Sequence, residues 1–320
     1  MFGGMVKDTD KSTDEVVQYV SSLIKQHLKE TIYDRLKEVN CFLNFLEEKN
    51  GLEQSSLKSL ADFTPEIDLC SRDKTLPLGS SCVGLTINLL KKISPEFRPT
   101  IIGATLPNKL RQSGFPEKAH VAIVIATKTD YVLLDPNFDI ADPIVIYRDG
   151  TKKIVHMKNN KGDWSFKYRN QEIICVTEES LDDQDLKNTS HYVNPNMVYS
   201  LFEFINPKKV ILKPMIAVDR KIPIVSRDDC GNHLAHVQVC LDEEEVKISI
   251  DGEKKDSIRF KCFLEGDKFG DEFAKKLKMD TFGLNYCIAQ VIKNKPVLNL
   301  LRDEYQKLIK GYGDDGDFYP

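Results

Sequence analysis

The sequence predicts an α+β protein, with a helical N-terminal region, a β-rich middle and a mixed α/β end. Three observations carry this. Apolar residues from Val16 to Leu43 recur at three- and four-residue steps, the period of a helix with one buried face. After Pro143 the pattern changes to short alternating runs, the period of strands. From Glu272 onward the helical period returns. A chain of 320 residues, 41% hydrophobic and 29% charged, suits one large globular domain or two to three small ones. A formal charge of −4 gives no electrostatic reason to bind nucleic acid or an acidic membrane. The longest apolar stretch, Val121 to Ala126, is far too short to span a bilayer. The first residues lack the apolar core of a secretory signal, and the eight cysteines include no CxxC pair. Such scattered thiols suit a reducing compartment, so a cytoplasmic location is expected.

Taken in order, residues 13 to about 49 read as helix, stopped by Asn50-Gly51, and Leu57 to Phe63 as a second short helix. Thr64 to Ser80, holding Pro65, Pro77 and Gly79, reads as irregular. Cys82 to Lys92 is helical again, with Val83, Ile87 and Leu90 on one face. Phe97 to Thr105 reads as a strand, followed by a polar loop from Pro107 to Ala119. Two apolar runs, His120 to Ala126 and Tyr131 to Asp135, flank Thr127-Lys128-Thr129-Asp130 and predict a hairpin. Further strands are expected at Ile173–Thr177, Val237–Leu241 and Val246–Ile250, the last turning at Asp251-Gly252 into Ser257–Phe263. Helices are expected over Glu272–Lys278 and Leu284–Ile309, with a short acidic tail from Gly311 that reads as disordered.

A cysteine nucleophile needs a lowered thiol pKa, a base within reach and a group that orients the base. Gly79-Ser80-Ser81-Cys82 places Cys82 in the first turn of a helix, with Ser80 or Ser81 as the N-cap. There the positive end of the helix favours thiolate. The hairpin supplies the other two members, since His120 opens its first strand and Asp135 closes its second. With a four-residue turn, Ala126 faces Tyr131 and Asp135 lies opposite Ala122. His120 and Asp135 then become diagonal neighbours on one face, and the carboxylate can orient the imidazole. A turn of odd length would separate them. Each residue alone has a plainer reading: buried packing for the cysteine, a satisfied histidine, a strand-ending Asp-Pro turn. The three together, each at the end of an element, point to catalysis.

The order Cys82, His120, Asp135 resembles the transglutaminase-like, papain-like cysteine superfamily. Arg98 and Gly103 on the next strand and Leu134-Asp135-Pro136 fit that pattern. The rest is similar to arylamine N-acetyltransferases, through Trp164, Val198-Tyr199-Ser200-Leu201-Phe202 and the closing hairpin and helix at Thr281-Phe282-Gly283. The lead-in Pro77-Leu78-Gly79-Ser80-Ser81 stands where that family has Arg-Gly-Gly, and Pro136-Asn137-Phe138-Asp139 where it has a Val-Gly-Phe-Gly type turn. The resemblance implies an N-terminal helical bundle, a Cys-His-Asp β-barrel domain and a C-terminal α/β lid. The corresponding regions are residues 1–81, 82–215 and 216–310, with a tail at 311–320. It implies an acyltransferase that moves an acyl group from a thioester, acetyl-CoA or another acyl-CoA, to a small-molecule amine through acyl-Cys82. No permanently bound cofactor is expected. The same triad would also serve a transglutaminase-like amidase, peptidase or deamidase acting on a peptide or protein, and a non-catalytic scaffold is the third reading.

Cys230, His233, His236 and Cys240 have the composition of a metal site. Strand alternation turns His233 away from His236 and Cys240, so no metal is expected.

Overall fold

The computed structural model describes residues 4–50, 57–63, 78–106, 114–137, 141–157, 162–178 and 197–312. Helix α1 (Thr13–Glu30) starts at a capping box, in which Ser12 accepts from the Glu15 amide and Glu15 from the Ser12 amide. It stops where Thr31 turns into the extended region. The long helix expected over 13–49 is therefore two helices separated by strand β1 (Thr31–Asp34), with α2 at Arg35–Asn50. The spacing of Leu28, Ile32 and Leu36 suits one continuous helix. Pairing of the Thr-Ile-Tyr run on both sides overrides that local preference.

Short helix α3 (Leu57–Asp62) is followed by β2 (Leu78–Ser80) and α4 (Cys82–Lys92). Strand β3 (Thr100–Ala104) starts three residues later than expected, because Pro95–Phe97 form a 3-10 turn ended by Arg98 in the left-handed region. The hairpin follows as β4 (His120–Ala126) and β5 (Asp130–Leu134), then β6 (Ile144–Tyr147), β7 (Lys153–Met157), β8 (Gly162–Arg169), β9 (Glu172–Glu178) and β10 (Met197–Glu203). A π-helical turn at Lys208–Leu212 leads into α5 (Lys213–Val218). The C-terminal part holds β11 (Lys221–Arg227), β12 (His233–Cys240), β13 (Glu245–Ile250) and β14 (Glu253–Arg259). Helices α6 (Phe260–Glu265), α7 (Asp271–Lys276), α8 (Thr281–Lys293) and α9 (Lys295–Tyr312) complete it. Phe260 to Phe263, expected as strand, opens α6 instead. The helix expected over 284–309 breaks at Asn294, two residues before Pro296, which cannot donate to the preceding turn.

Eight strands in the order β6-β5-β4-β3-β10-β9-β8-β7 form an antiparallel, nearly closed barrel-like sheet. Its end strands β6 and β7 lie against each other, and next to them the Tyr131 ring of β5 and the Tyr168 ring of β8 are 5.3 Å apart. Its interior is filled by side chains such as Val124, Leu133, Trp164, Phe166 and Tyr199. On the outside, Ile123, Ile125, Val132 and Leu134 pack against Val16, Val20 and Ile24 of α1 and Leu89 of α4. Strand β4 is thus buried on both faces, which is why it reads as an unbroken apolar run.

The second sheet, β14-β13-β12-β11-β1-β2, takes two strands from the N-terminal region and four from the C-terminal one. Helix α2 packs on it through Leu36, Val39 and Leu43, and with Phe42 and Leu46 it reaches the cluster that holds Cys82. Among the described residues, no helix is long and apolar enough to cross a membrane. The parts of the expected loops at 64–77 and 107–113 and of the tail at 313–320 lie outside the described residues.

Candidate active site

The hairpin has the register that a four-residue turn requires. Ala126 faces Tyr131 and Ile123 faces Leu134, so the next position, Asp135, comes opposite Ala122. His120 and Asp135 meet as diagonal neighbours, with Nε2 of the imidazole donating to Oδ2 of the carboxylate at 2.7 Å. Because Nε2 is committed, Nδ1 is the nitrogen left for the side-chain hydrogen bond between His120 and Cys82. The structure therefore brings all three sequence-nominated residues together.

Cys82 is the first residue of α4, at the helix's positive end. Ser81 is the N-cap residue in extended conformation, but it makes no side-chain cap. Its amide and the Ser80 hydroxyl instead donate to Oε1 of Glu38, at 2.9 and 3.0 Å. Glu38 is paired through Oε2 with the fully buried Arg35, whose Nε donates to Oδ2 of Asp219 at 3.2 Å. A buried chain of charges from Arg35 and Glu38 on α2 to Asp219 after α5 thus supports the entry to the nucleophile helix. Sequence reasoning missed it. The only signal was the Arg-x-x-Glu spacing at 35 and 38, which is common on exposed helices.

Burial disfavours a charge on His120, but the Asp135 carboxylate and Cys82 more than offset it, and its pKa rises to about 10. The ring is then an imidazolium at neutral pH, the state that pairs with a thiolate. Asp135 is held from three sides. Oδ2 also accepts from the Tyr199 hydroxyl at 2.9 Å, and Oδ1 accepts from the Asn137 amide at 3.1 Å. Tyr199 stood in the sequence within a β-run, where nothing marked it as a triad partner. Burial of the phenol, then the Asp135 charge, push its own pKa well up, so it remains a donor.

Cys82, His120 and Asp135 are 3%, 2% and 0% exposed. Cys82 also belongs to an apolar cluster with Phe115, Ala119, Val121 and Phe204. Two polar atoms beside the triad, Ser81 Oγ and Asn137 Oδ1, are buried without a partner among the described residues. Orphaned polar atoms of this kind collect at functional sites.

Other nominated residues lie elsewhere. Arg98 is outside β3, and its guanidinium bonds the Asp8 carbonyl at 2.6 Å on the surface. Gly103 is on β3, where a Cβ would meet the Phe204 ring at 1.9 Å. Among the described residues, the one grouping of metal-ligand type is Asp228, Asp229 and Cys230, an exposed acidic turn. The His233 and His236 rings are 6.5 Å apart on β12, and Cys240 is buried at the far end of that strand.

No family model matches the sequence, and comparison with curated proteins finds no match. Solved structures do. An arylamine N-acetyltransferase from Bacillus cereus, described as having a Cys-His-Glu triad, is 14% identical and covers 79% of this chain and 87% of its own, with a TM-score of 0.44. One from Mycobacterium abscessus is 9% identical over 91% of this chain and 90% of its own, with a TM-score of 0.47. One from Salmonella typhimurium is 10% identical over 82% and 91%, with a TM-score of 0.42. At such identity the likeness concerns fold and not chemistry, and in that sense this chain is similar to the arylamine N-acetyltransferases.

Proposed function

We propose that this protein is a cysteine-dependent acyltransferase that moves an acyl group from a thioester to an amine through acyl-Cys82. One observation carries the reading. His120 bonds Asp135 at 2.7 Å and has its other nitrogen on Cys82, which opens a helix. That is a nucleophile, a base and an orienter in one relay.

Each step balances. The Cys82 thiolate forms a bond to the acyl carbon, and the donor's carbon–sulfur bond breaks. The leaving thiolate takes the proton held on His120. An amine then adds to the acyl-cysteine and gives its proton to His120, and the Cys82 thiolate departs. The oxyanion formed in each half lies near the amides of the first turn of α4, which carry the helix's positive end. Asp135, bonded to Nε2 of His120, holds the ring in place throughout.

A thioester donor suits the site because one carbon–sulfur bond is exchanged for another, with thiolate as leaving group. An acyl-CoA is the expected cosubstrate, and no permanently bound cofactor enters the scheme. Burial of all three residues favours transfer to an amine over hydrolysis, since water is excluded from the acyl-enzyme. It likewise favours a small acceptor over the extended polypeptide that an amidase or transglutaminase-like enzyme would need to seat.

The test is intact-protein mass spectrometry after brief exposure to a panel of acyl-CoA thioesters. A single acyl adduct is expected on the wild type and none on Cys82→Ala. No adduct from any thioester, together with rapid alkylation of Cys82, would favour the amidase reading. No adduct and a thiol no faster than the others would leave a scaffold.

A further inference from the structure

We propose that Arg227, on the six-stranded sheet, is a positioning residue for the triad: it grips the turn that carries Asp135 and thereby sets the carboxylate against His120. The inference rests on the triad reading above for what is being positioned, and on separate geometry for how.

Asp135 follows the last residue of β5, where the pairing with β4 ends at Leu134 and that with β6 at Leu133. The carbonyls just beyond need partners from elsewhere. Arg227 supplies both. Nη1 donates to the Pro136 carbonyl and Nη2 to the Asn137 carbonyl, each at 3.0 Å, from a side chain that is itself buried. The planar fork of a guanidinium spans two successive carbonyls, which a lysine ammonium, a point donor, cannot do in the same way. The turn and the carboxylate form one unit, because Asp135 Oδ1 accepts from the Asn137 amide at 3.1 Å while Oδ2 holds His120. Moving the 136–137 backbone therefore moves the group that orients the base.

The way Arg227 is aimed points the same way. The β11–β12 ladder is regular from Lys221 to Ser226 and then shifts register between Ser226 and Arg227. Such bulges re-aim a side chain and gather beside active sites. The strand end is fixed on both sides of this shift. Ser226 Oγ donates to the Lys276 carbonyl at 2.7 Å, and Lys278 Nζ donates to the Arg227 carbonyl at 2.6 Å. One sheet thus braces both halves of the relay. Strand β2 leads directly into Cys82, and β11 reaches the turn behind His120.

The experiment compares full-length wild type with Arg227→Met, which keeps the apolar stem, and Arg227→Lys, which keeps the charge. Two readouts are taken: the downfield NMR signal of the His120 Nε2 proton, and the pH profile of Cys82 alkylation. In Arg227→Met the signal is expected to shift or vanish. The acid limb of the profile is expected to rise by about one pH unit, which is about tenfold less thiolate below it. Arg227→Lys is expected to fall between Met and wild type. An unchanged signal and profile in a folded Arg227→Met, with only a lower melting temperature, would overturn the proposal and leave Arg227 as glue between sheets. Should Arg227→Met fail to fold, an Arg227→Lys indistinguishable from wild type in both readouts would overturn it equally. Neither readout uses an acyl donor. A wild type that shows the proton but accepts no acyl group refutes the acyltransferase reading while still deciding Arg227.

Discussion

Tyr199 shows how much a single hydroxyl can matter in a buried site. Its hydroxyl donates to Asp135 Oδ2, the same oxygen that holds His120, and so gives that buried oxygen a second partner. A hydrogen bond to a charged acceptor is worth about 1.5–3 kcal/mol. Tyr199→Phe is expected to lose stability of that order on thermal denaturation and to slow Cys82 alkylation. A Tyr199→Phe protein as stable and as reactive as wild type would show that Asp135 is held well enough by His120 and Asn137. Cys82→Ala, by contrast, is expected to fold and to lose the adduct, because the side chain removed is small, sits in an apolar cluster, and leaves the His120 ring still paired with Asp135.

At the scale of elements, helix α2 does more than cover a sheet. Its apolar positions divide between two clusters, and its buried Arg35–Glu38 pair ties β2 and the start of α4 to Asp219. Removing one member of a buried pair costs about 3–5 kcal/mol, because the other is left desolvated. Glu38→Ala is expected to lower stability by that order in chemical denaturation. It should also displace the nucleophile, since the Ser80 hydroxyl and the Ser81 amide lose their acceptor. Glu38→Gln keeps an acceptor and is expected to fall in between. The strand β1 that interrupts the long helical pattern follows from the same logic. Thr31 to Tyr33 gain more from pairing with β11 and β2 than from continuing a helix, and only the neighbouring strands decide it.

For the whole molecule, two buried histidines pull stability in opposite directions with pH. Burial first, then nearby Lys92, lower the pKa of His27 to about 4, so it stays neutral in the fold. Its contribution is complete above about 6.5, the unfolded value, and is lost as pH falls through 4, a difference of about 3 kcal/mol. The pKa of His120 is raised instead, to about 10, so its contribution is complete below about 6.5 and is lost as pH rises through 10. Melting temperature is thus expected to peak near pH 6.5 and fall on both sides. His27→Leu should flatten the acid side only. A wild-type acid limb that persists unchanged in His27→Leu would assign it to other groups.

Period and turn chemistry in the sequence determined α4, the β4–β5 hairpin and the place of Cys82 at a helix start, and made the meeting of His120 and Asp135 follow once the turn has four residues, which the structure supplies. These are local features, since side-chain alternation and a four-residue turn set which residues share a face. The tertiary structure alone decided that β1 is a strand, that Glu38 holds the Ser80 hydroxyl and Ser81 amide behind the nucleophile, that Tyr199 bonds Asp135, and that Arg227 holds the turn after it, all from distant elements. Those contacts join residues 42 to 91 positions apart. No local pattern encodes such pairs, because they are selected by burial: a charge or hydroxyl removed from water must find whatever partner the packed sheets bring to it.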